Sequence, residues 1–177
     1  MLYAPTRTLR IALMTCLIAL PFIARAAPQH ARLAPNASFI SAGKTISLAA
    51  YHGHPIMLWQ VATWCGSCKA GLRAFARNQK LIDRSPIRII VLRDYKNGGY
   101  PGISITKFAA QVAPSLLDDP YFVFGNDSKI LYQRYNPNHD IDIYDLINTD
   151  HQITLIGSTP SATFGTIKAF INAPHRP

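Results

Sequence analysis

Two apolar runs are the clearest pattern along this chain, and each has the length of a single strand. They cover Ile56–Val61 and Ile87–Leu92. Strands that are apolar at almost every position are typical of sheets covered by helices on both faces. Between the runs, Leu72, Phe75 and Ile82 follow helical spacing. The pattern therefore predicts a strand–helix–strand unit whose two strands are parallel.

Shorter elements flank this unit, and turn residues separate them. Predicted strands cover 44–48, 121–124, 140–147 and 152–157, and predicted helices cover 103–112, 128–135 and a last segment that begins at Pro160. Asp127 and Thr159 are the expected N-caps of the last two helices. The last two strands flank a short turn, which predicts an antiparallel hairpin. The expected fold class is α/β, with a central mixed sheet, a C-terminal antiparallel hairpin and flanking helices.

The N-terminal segment has the three-part pattern of a secretory signal peptide. Arg7 and Arg10 precede an apolar run over 11–23, and an A-x-A cleavage site ends at Ala26. The run is shorter than the roughly 20 apolar residues that span a bilayer, so a cleaved leader is favoured over a retained membrane anchor. The expected organisation is a signal peptide at 1–26, an irregular lead-in at 27–43 and one domain at 44–173. Export predicts an extracytoplasmic, periplasmic location, with membrane contact only if the leader is retained.

Composition limits the classes of partner. The chain carries 18 basic and nine acidic residues, and loss of Arg7, Arg10 and Arg25 with the leader leaves 15 basic residues. These charges are scattered and no basic run with interleaved aromatic residues is present, so a solvated basic surface is favoured over nucleic-acid binding. All nine acidic residues are aspartates. Few proton acceptors are therefore expected near the reactive groups.

The cysteines carry the candidate chemistry. The sequence WCGSCK at 64–69 follows the first apolar strand and opens the predicted helix, while Cys16 lies in the predicted leader. At a helix start, unpaired backbone N–H groups and the helix dipole are expected to lower the pKa of Cys65 below the roughly 8.5 of a free thiol. Cys65 is thus the expected exposed, attacking thiol. Cys68 lies on the same helical face and is the expected shielded thiol that resolves a mixed disulfide.

Other chemistries fit the same residues less well. A structural zinc site needs four ligands, and no histidine lies between Cys68 and His139. A purely structural disulfide is disfavoured, because so small a loop constrains the unfolded chain little. His52 and His54 form an H-x-H pair, but their turn residues favour an exposed turn over a metal site. We expect no metal and no cofactor besides the cysteine disulfide.

For each of three residues near the cysteines, the sequence allows both a functional and a purely structural interpretation. Trp64 is expected to shield the thiol and present an apolar surface for docking a polypeptide substrate, although a packed aromatic would have the same pattern. Lys69 and Arg73 would raise the local positive potential and favour a thiolate. On the outer side of a helix such residues are more often only solvated, so neither is assigned a catalytic role.

The segment ATWCGSCK at 62–69 resembles the active-site segment of the thioredoxin superfamily, and its ATWC part is similar to exported TlpA-like thiol-disulfide oxidoreductases. Gly53–Ile56 resembles the turn before that family's first core strand, and Ile153–Gly157 resembles its last hairpin strand. The resemblance covers roughly 44–172 and implies a thioredoxin-like fold. It also implies a reductase of protein disulfides, with a client such as apocytochrome c or another exported protein and an upstream electron-donor protein.

Two features depart from the family pattern. The family places a cis-proline just before the first strand of the final hairpin, where this chain has residues 140–142 and no proline. The family also places a buried carboxylate on the strand before the cysteines, where this chain has Trp59 and Gln60. Proton transfer involving Cys68 would then need water or another group.

The missing proline keeps a second function open, namely a redox-silent binding module that holds a client or assembly partner. A thiol peroxidase is disfavoured, because that family's pattern of a proline and a threonine upstream of a single attacking cysteine is not reproduced around Cys65. The redox potential and the direction of exchange are not determined by the residues alone.

Overall fold

The computed structural model describes residues 32–175, and the predicted signal peptide with Cys16 lies outside this range. The strands are β1 (Arg32–Leu33), β2 (Ser38–Ser41), β3 (Lys44–Ser47), β4 (Ile56–Val61), β5 (Arg88–Arg93), β6 (Phe122–Asn126), β7 (Ile143–Ile147) and β8 (Gln152–Ser158). The helices are α1 (Gly66–Arg77), α2 (Gln79–Ile82), α3 (Ile105–Val112), α4 (Lys129–Tyr135) and α5 (Phe164–Ile171). None of the helices in this range is long and apolar enough to cross a membrane.

All of these strands join one mixed sheet in the order β1-β8-β7-β4-β5-β6-β2-β3. The central strands β4, β5 and β6 are parallel, and the hairpin of β7 and β8 adds to β4 in the antiparallel direction. The prediction of a strand–helix–strand unit followed by an antiparallel hairpin is therefore confirmed.

Two hydrophobic cores cover opposite faces of the sheet and give the fold its three layers. On the first face, Met57, Trp59 and Val61 of β4 pack with residues of α1, α3 and α5. On the second face, Ile56 and Leu58 pack with residues of α4 and the N-terminal strands. We call these faces the α1 side and the α4 side. Because β4 is buried on both sides, its sequence is apolar almost throughout.

The predicted irregular lead-in at 27–43 contains two strands in its described part, β1 and β2. The strand β2 pairs with both β3 and β6 and buries Phe39 on the α4 side. It is only four residues long. A strand this short shows too few alternations to be recognised by its period.

Two predicted helix caps are wrong. The N-cap of α4 is Ser128, whose hydroxyl accepts a hydrogen bond from the backbone N–H of Leu131 at 3.1 Å. Asp127 instead accepts a hydrogen bond from Gln60 at 2.5 Å inside the protein. Thr159 has a positive φ of 51°, and the chain turns once more before α5 begins at Phe164.

The predicted helix after the cysteines is divided into α1 and α2 at Asn78. The side-chain amide of Asn78 donates a hydrogen bond to the carbonyl of Ala74 at 2.8 Å, which competes with helix continuation. The exposed turn predicted around His52 and His54 is confirmed. The ring of His52 stacks on the buried His151, with 4.3 Å between ring centroids.

Candidate active site

The two cysteines lie where the sequence pattern predicts them, at the carboxyl edge of the parallel strands. The chain leaves β4 at Val61, turns through 62–65 and enters α1 at Gly66. Cys65 is the N-cap residue of α1, and its Sγ accepts a hydrogen bond from the backbone N–H of Cys68 at 3.1 Å. A disulfide joins the two side chains. The structure therefore represents the oxidised state of the pair.

Cys65 is less exposed than the sequence predicts. It retains 5% of its accessible surface, whereas Cys68 retains none. The expectation of an exposed thiol at position 65 is therefore corrected to a thiol that is only marginally accessible. The predicted order of attack is unchanged, with Cys65 first and Cys68 second. An incoming sulfur atom can reach Cys65, whereas it cannot reach Cys68 without movement of the surrounding chain.

Trp64 directly precedes Cys65 in the chain. Its side chain is 43% exposed, its indole N–H donates a hydrogen bond to the carbonyl of Asn97 at 2.8 Å, and Tyr100 packs edge-on against it. With Pro101 these two rings line a shallow surface pocket. We call Trp64, Tyr100 and Pro101 the aromatic patch. Trp64 is thus both packed and accessible, and its docking role stays a prediction.

The loop after β5 contacts this surface through a glycine. Gly98 has a positive φ of 65°, and a Cβ added there would lie 2.6 Å from Ile141 and 3.2 Å from Trp64. Ile141 belongs to the segment before β7, which lies opposite the cysteines in the family that the sequence resembles. Three chain segments therefore meet at the Trp64 ring, and only glycine allows them to approach this closely.

Lys69 and Arg73 differ in their surroundings. Lys69 is half-buried in the first turn of α1, whereas Arg73 is exposed one turn later. Arg73 therefore fits a solvated helix surface, as expected for such a residue.

Asp142 is the site residue that sequence reasoning missed. It lies directly before β7, and one of its carboxylate oxygens lies within 4.8 Å of both cysteine sulfurs. It belongs to the stretch 140–142, against which the sequence comparison places the cis-proline of the resembled family, and no cis peptide bond occurs among residues 32–175. On β4, where the resembled family places a buried carboxylate, this chain has Trp59. The structure supplies a buried carboxylate from the segment directly before β7, the strand that pairs with β4.

The hydrogen-bonding state of Asp142 is asymmetric. One carboxylate oxygen, Oδ1, accepts a hydrogen bond from the indole N–H of Trp59 at 2.9 Å, whereas the other, Oδ2, is buried without a partner. Burial raises the pKa of Asp142 above its ordinary value, and the Ser67 hydroxyl and the Trp59 indole oppose this rise. The Ser67 hydroxyl also lies 3.1 Å from Cys65 Sγ.

The sulfurs and Asp142 also have the residue types of a metal-binding cluster. Thiolates are the metal ligands that cysteine provides. Here both sulfurs are bonded to each other, so the oxidised site offers a carboxylate beside a disulfide instead of a ligand set.

Three further aspartates are buried away from the cysteines. Burial raises the pKa of Asp94 to about 7, that of Asp127 to about 8 and that of Asp145 to about 7. Asp145 lies on the α4 side, since its neighbours Tyr144 and Leu146 pack on the α1 side. Unlike these three aspartates, Asp142 lies next to both cysteine sulfurs.

Comparisons with known proteins agree on the fold. No protein-family model matches the chain, and no curated protein does. A thioredoxin-like protein from Aeropyrum pernix aligns with a TM-score of 0.59 and 23% identity, over 77% of this chain and 88% of that chain. A thiol:disulfide interchange protein from Bacteroides sp. aligns with a TM-score of 0.57 and 12% identity, over 81% of this chain and 90% of that chain.

A third similar structure is BsSco, a member of the Sco family of cytochrome c oxidase assembly proteins in which a disulfide switch was identified. It aligns with a TM-score of 0.56 and 13% identity, over 82% of this chain and 96% of that chain. Identities this low show a shared fold and no more. The chain therefore has a thioredoxin-like fold, as its sequence predicts.

Proposed function

We propose that this protein is an exported thiol-disulfide oxidoreductase that reduces disulfides in other proteins through Cys65 and Cys68. The observation that supports this most strongly is the position of the pair at the N-terminus of α1, beside the carboxyl ends of β4 and β5. There, the Cys68 N–H and the helix dipole stabilise negative charge on Cys65 Sγ once the disulfide is reduced.

The exchange proceeds in two steps. The Cys65 thiolate attacks a client disulfide, forms a mixed disulfide and releases one client sulfur as a thiolate. The Cys68 thiolate then attacks Cys65 Sγ, closes the Cys65–Cys68 disulfide and releases the second client sulfur. The client gains two electrons and the pair loses two, so a donor protein with a dithiol must reduce the pair before the next cycle.

The direction and location rest on the sequence. The leader pattern at 1–26 favours the periplasm, where clients such as apocytochrome c or other exported proteins meet the enzyme. The aromatic patch provides an apolar surface next to Cys65 on which an unfolded client docks. Reduction is the proposed direction.

The test measures reduction of a protein disulfide by the full chain. With a small dithiol as reductant, the protein accelerates the reduction of insulin, and Cys65→Ser abolishes the acceleration. Cys16→Ser is the matched control, because it removes the only other thiol of the chain and keeps full activity. Full activity of the Cys65→Ser variant would contradict the proposal.

A redox-silent binding module remains the second candidate, and the marginal exposure of Cys65 is the observation that favours it. Cys68→Ser protein separates the two functions, because it cannot resolve a mixed disulfide. Mass spectrometry of the exported fraction should recover clients covalently bound to Cys65. Clients that are bound without any covalent link would favour the binding module.

A further inference from the structure

The chemistry of Cys68 poses a problem that the cysteines alone do not solve. Cys68 has no accessible surface, and burial disfavours the charged form of a thiol. Only the thiolate attacks a disulfide, so Cys68 must lose its proton at the moment of attack. Bulk water does not reach this sulfur directly. A buried group beside it has to accept the proton.

Asp142 is placed to accept this proton. Its carboxylate oxygen lies within 4.8 Å of both sulfurs, a separation that one bridging water or a small side-chain rotation closes. Its Oδ2 is buried and has no hydrogen-bond partner. A buried, unpartnered carboxylate oxygen is costly, and such costs are commonly found at functional sites.

Trp59 holds the carboxylate in place. The Trp59 ring is fully buried under α1, and its N–H occupies Oδ1 of Asp142. The backbone N–H of Thr159 also donates to the Asp142 carbonyl at 3.0 Å. The residue itself has a positive φ of 68°, which aspartate and asparagine tolerate better than most residues. The surrounding structure thus fixes one orientation of this side chain.

We propose that Asp142 is the proton acceptor and donor for Cys68 during thiol–disulfide exchange, delivered from the segment before β7 and oriented by Trp59. This inference rests on the proposed function. During client reduction, the Asp142 carboxylate takes the Cys68 proton while the Cys68–Cys65 bond forms and the Cys65–client bond breaks. The released client thiolate takes a proton from solvent. When a donor dithiol reduces the pair, Cys68 leaves as a thiolate and protonated Asp142 returns the proton.

The surroundings of Asp142 fit its proposed roles as proton acceptor and as proton donor for Cys68. Because burial raises the pKa of Asp142, the side chain is protonated over more of the physiological range than a surface aspartate. The titratable groups that face it are Cys65 and Cys68 from α1, and the polar groups that act on it are Ser67 from α1 and Trp59 from β4. Its proton is therefore coupled to the redox state of the sulfurs.

The test follows the two sulfur steps separately. The reduced full chain, carrying Cys16→Ser and kept in chelator, is mixed with the disulfide reagent dithionitrobenzoate, whose two thiolates are coloured. Attack by Cys65 releases the first thiolate, and resolution by Cys68 releases the second. For Asp142→Asn we expect the second release to slow about a hundredfold near neutral pH and to lose its pH inflection. The first release should stay within about twofold, since Asp142 does not assist that step.

Asp145→Asn is the matched control, because it removes a buried carboxylate of β7 from the α4 side and should leave both releases unchanged. Asp142→Glu keeps a carboxylate and should restore part of the second release. If Asp142→Asn slowed both releases equally, or if its second release kept the wild-type rate and pH profile, the inference would be wrong. Absence of the first release in wild-type protein would instead reject the proposed function.

Discussion

Asn97 accepts two hydrogen bonds from Thr63, one from the backbone N–H at 2.8 Å and one from the hydroxyl at 3.1 Å. Its amide also donates to the carbonyls of Tyr100 and Pro101. One fully buried side chain thus ties the segment before Cys65 to the loop that carries Tyr100 and Pro101 of the aromatic patch.

Replacing Asn97 should therefore damage stability and the site together. Asn97→Ala leaves the Thr63 N–H and two carbonyls without partners, and we expect a loss of about 2–4 kcal/mol in the free energy of unfolding. Thr63→Val removes only the hydroxyl bond and should cost about 1 kcal/mol. Urea denaturation of both variants measures the difference. Equal losses would mean that Asn97 does not organise the loop.

The close approach of α1 to Trp59 gives a second prediction. A Cβ at Gly71 would lie 2.6 Å from the Trp59 ring, whereas a Cβ at Gly165 in α5 would meet no atom within 4 Å. Gly71→Ala should destabilise the protein by about 1–3 kcal/mol through overpacking. Gly165→Ala should stabilise it by up to about 1 kcal/mol, because alanine is the better helix former. Thermal unfolding of the pair tests this, and stabilisation by both would contradict the packing.

Stability should fall as pH rises toward the alkaline range. In the unfolded chain an aspartate releases its proton near its ordinary pKa of 3.8, whereas burial holds the folded-state pKa of Asp94 and Asp145 at about 7 and that of Asp127 at about 8. Between these values the folded state binds more protons than the unfolded state. The contribution of these three aspartates to the free energy of unfolding therefore decreases from about pH 4 and levels off above about pH 8.

His151 has the opposite effect at the acid end, since burial lowers its pKa and the folded state resists its protonation below the ordinary value of 6.5.

Asp127→Asn isolates the contribution of one buried aspartate to this loss of stability at alkaline pH. The advantage of the variant over wild type should be larger at pH 9 than at pH 5. Urea denaturation at both pH values measures this, and an equal change at both would show that Asp127 does not titrate in this range.

Trp64 offers a test of client docking. Trp64→Ala should raise KM for a protein disulfide by about tenfold while leaving the reaction with dithionitrobenzoate within about twofold, because only a polypeptide contacts the whole patch. Trp64→Phe keeps an aromatic ring and loses the hydrogen bond to the Asn97 carbonyl. It should behave like wild type if the ring surface matters, and like Trp64→Ala if the hydrogen bond does.

The central part of the fold followed from the sequence because its signals are long and local. Continuous apolar residues over β4 and β5 indicate burial on both faces, and helical spacing in α1 indicates the crossover between them. The position of the C-x-x-C pair in the fold could be predicted once β4 and α1 were predicted, because the pair lies at the start of α1, after β4.

The features that the sequence did not predict depend on contacts between segments that are distant along the chain. Asp127 looks like a helix cap in sequence, and only the approach of Gln60 from β4 shows that it is buried. Asp142 has no distinguishing local pattern, and its proximity to the cysteines comes from the pairing of β7 with β4. The one available sequence signal was the absence of glutamate, which leaves aspartate as the only carboxylate side chain for proton transfer.

The most direct test of the central claim is the pH dependence of alkylation at each cysteine, measured by mass spectrometry on reduced protein with Cys16→Ser. We predict that iodoacetamide modifies Cys65 first, with a midpoint at least about one pH unit below the roughly 8.5 of a free thiol. Cys68 should remain unmodified until the protein unfolds. A Cys65 midpoint equal to that of the urea-unfolded chain, or earlier modification of Cys68, would contradict the account.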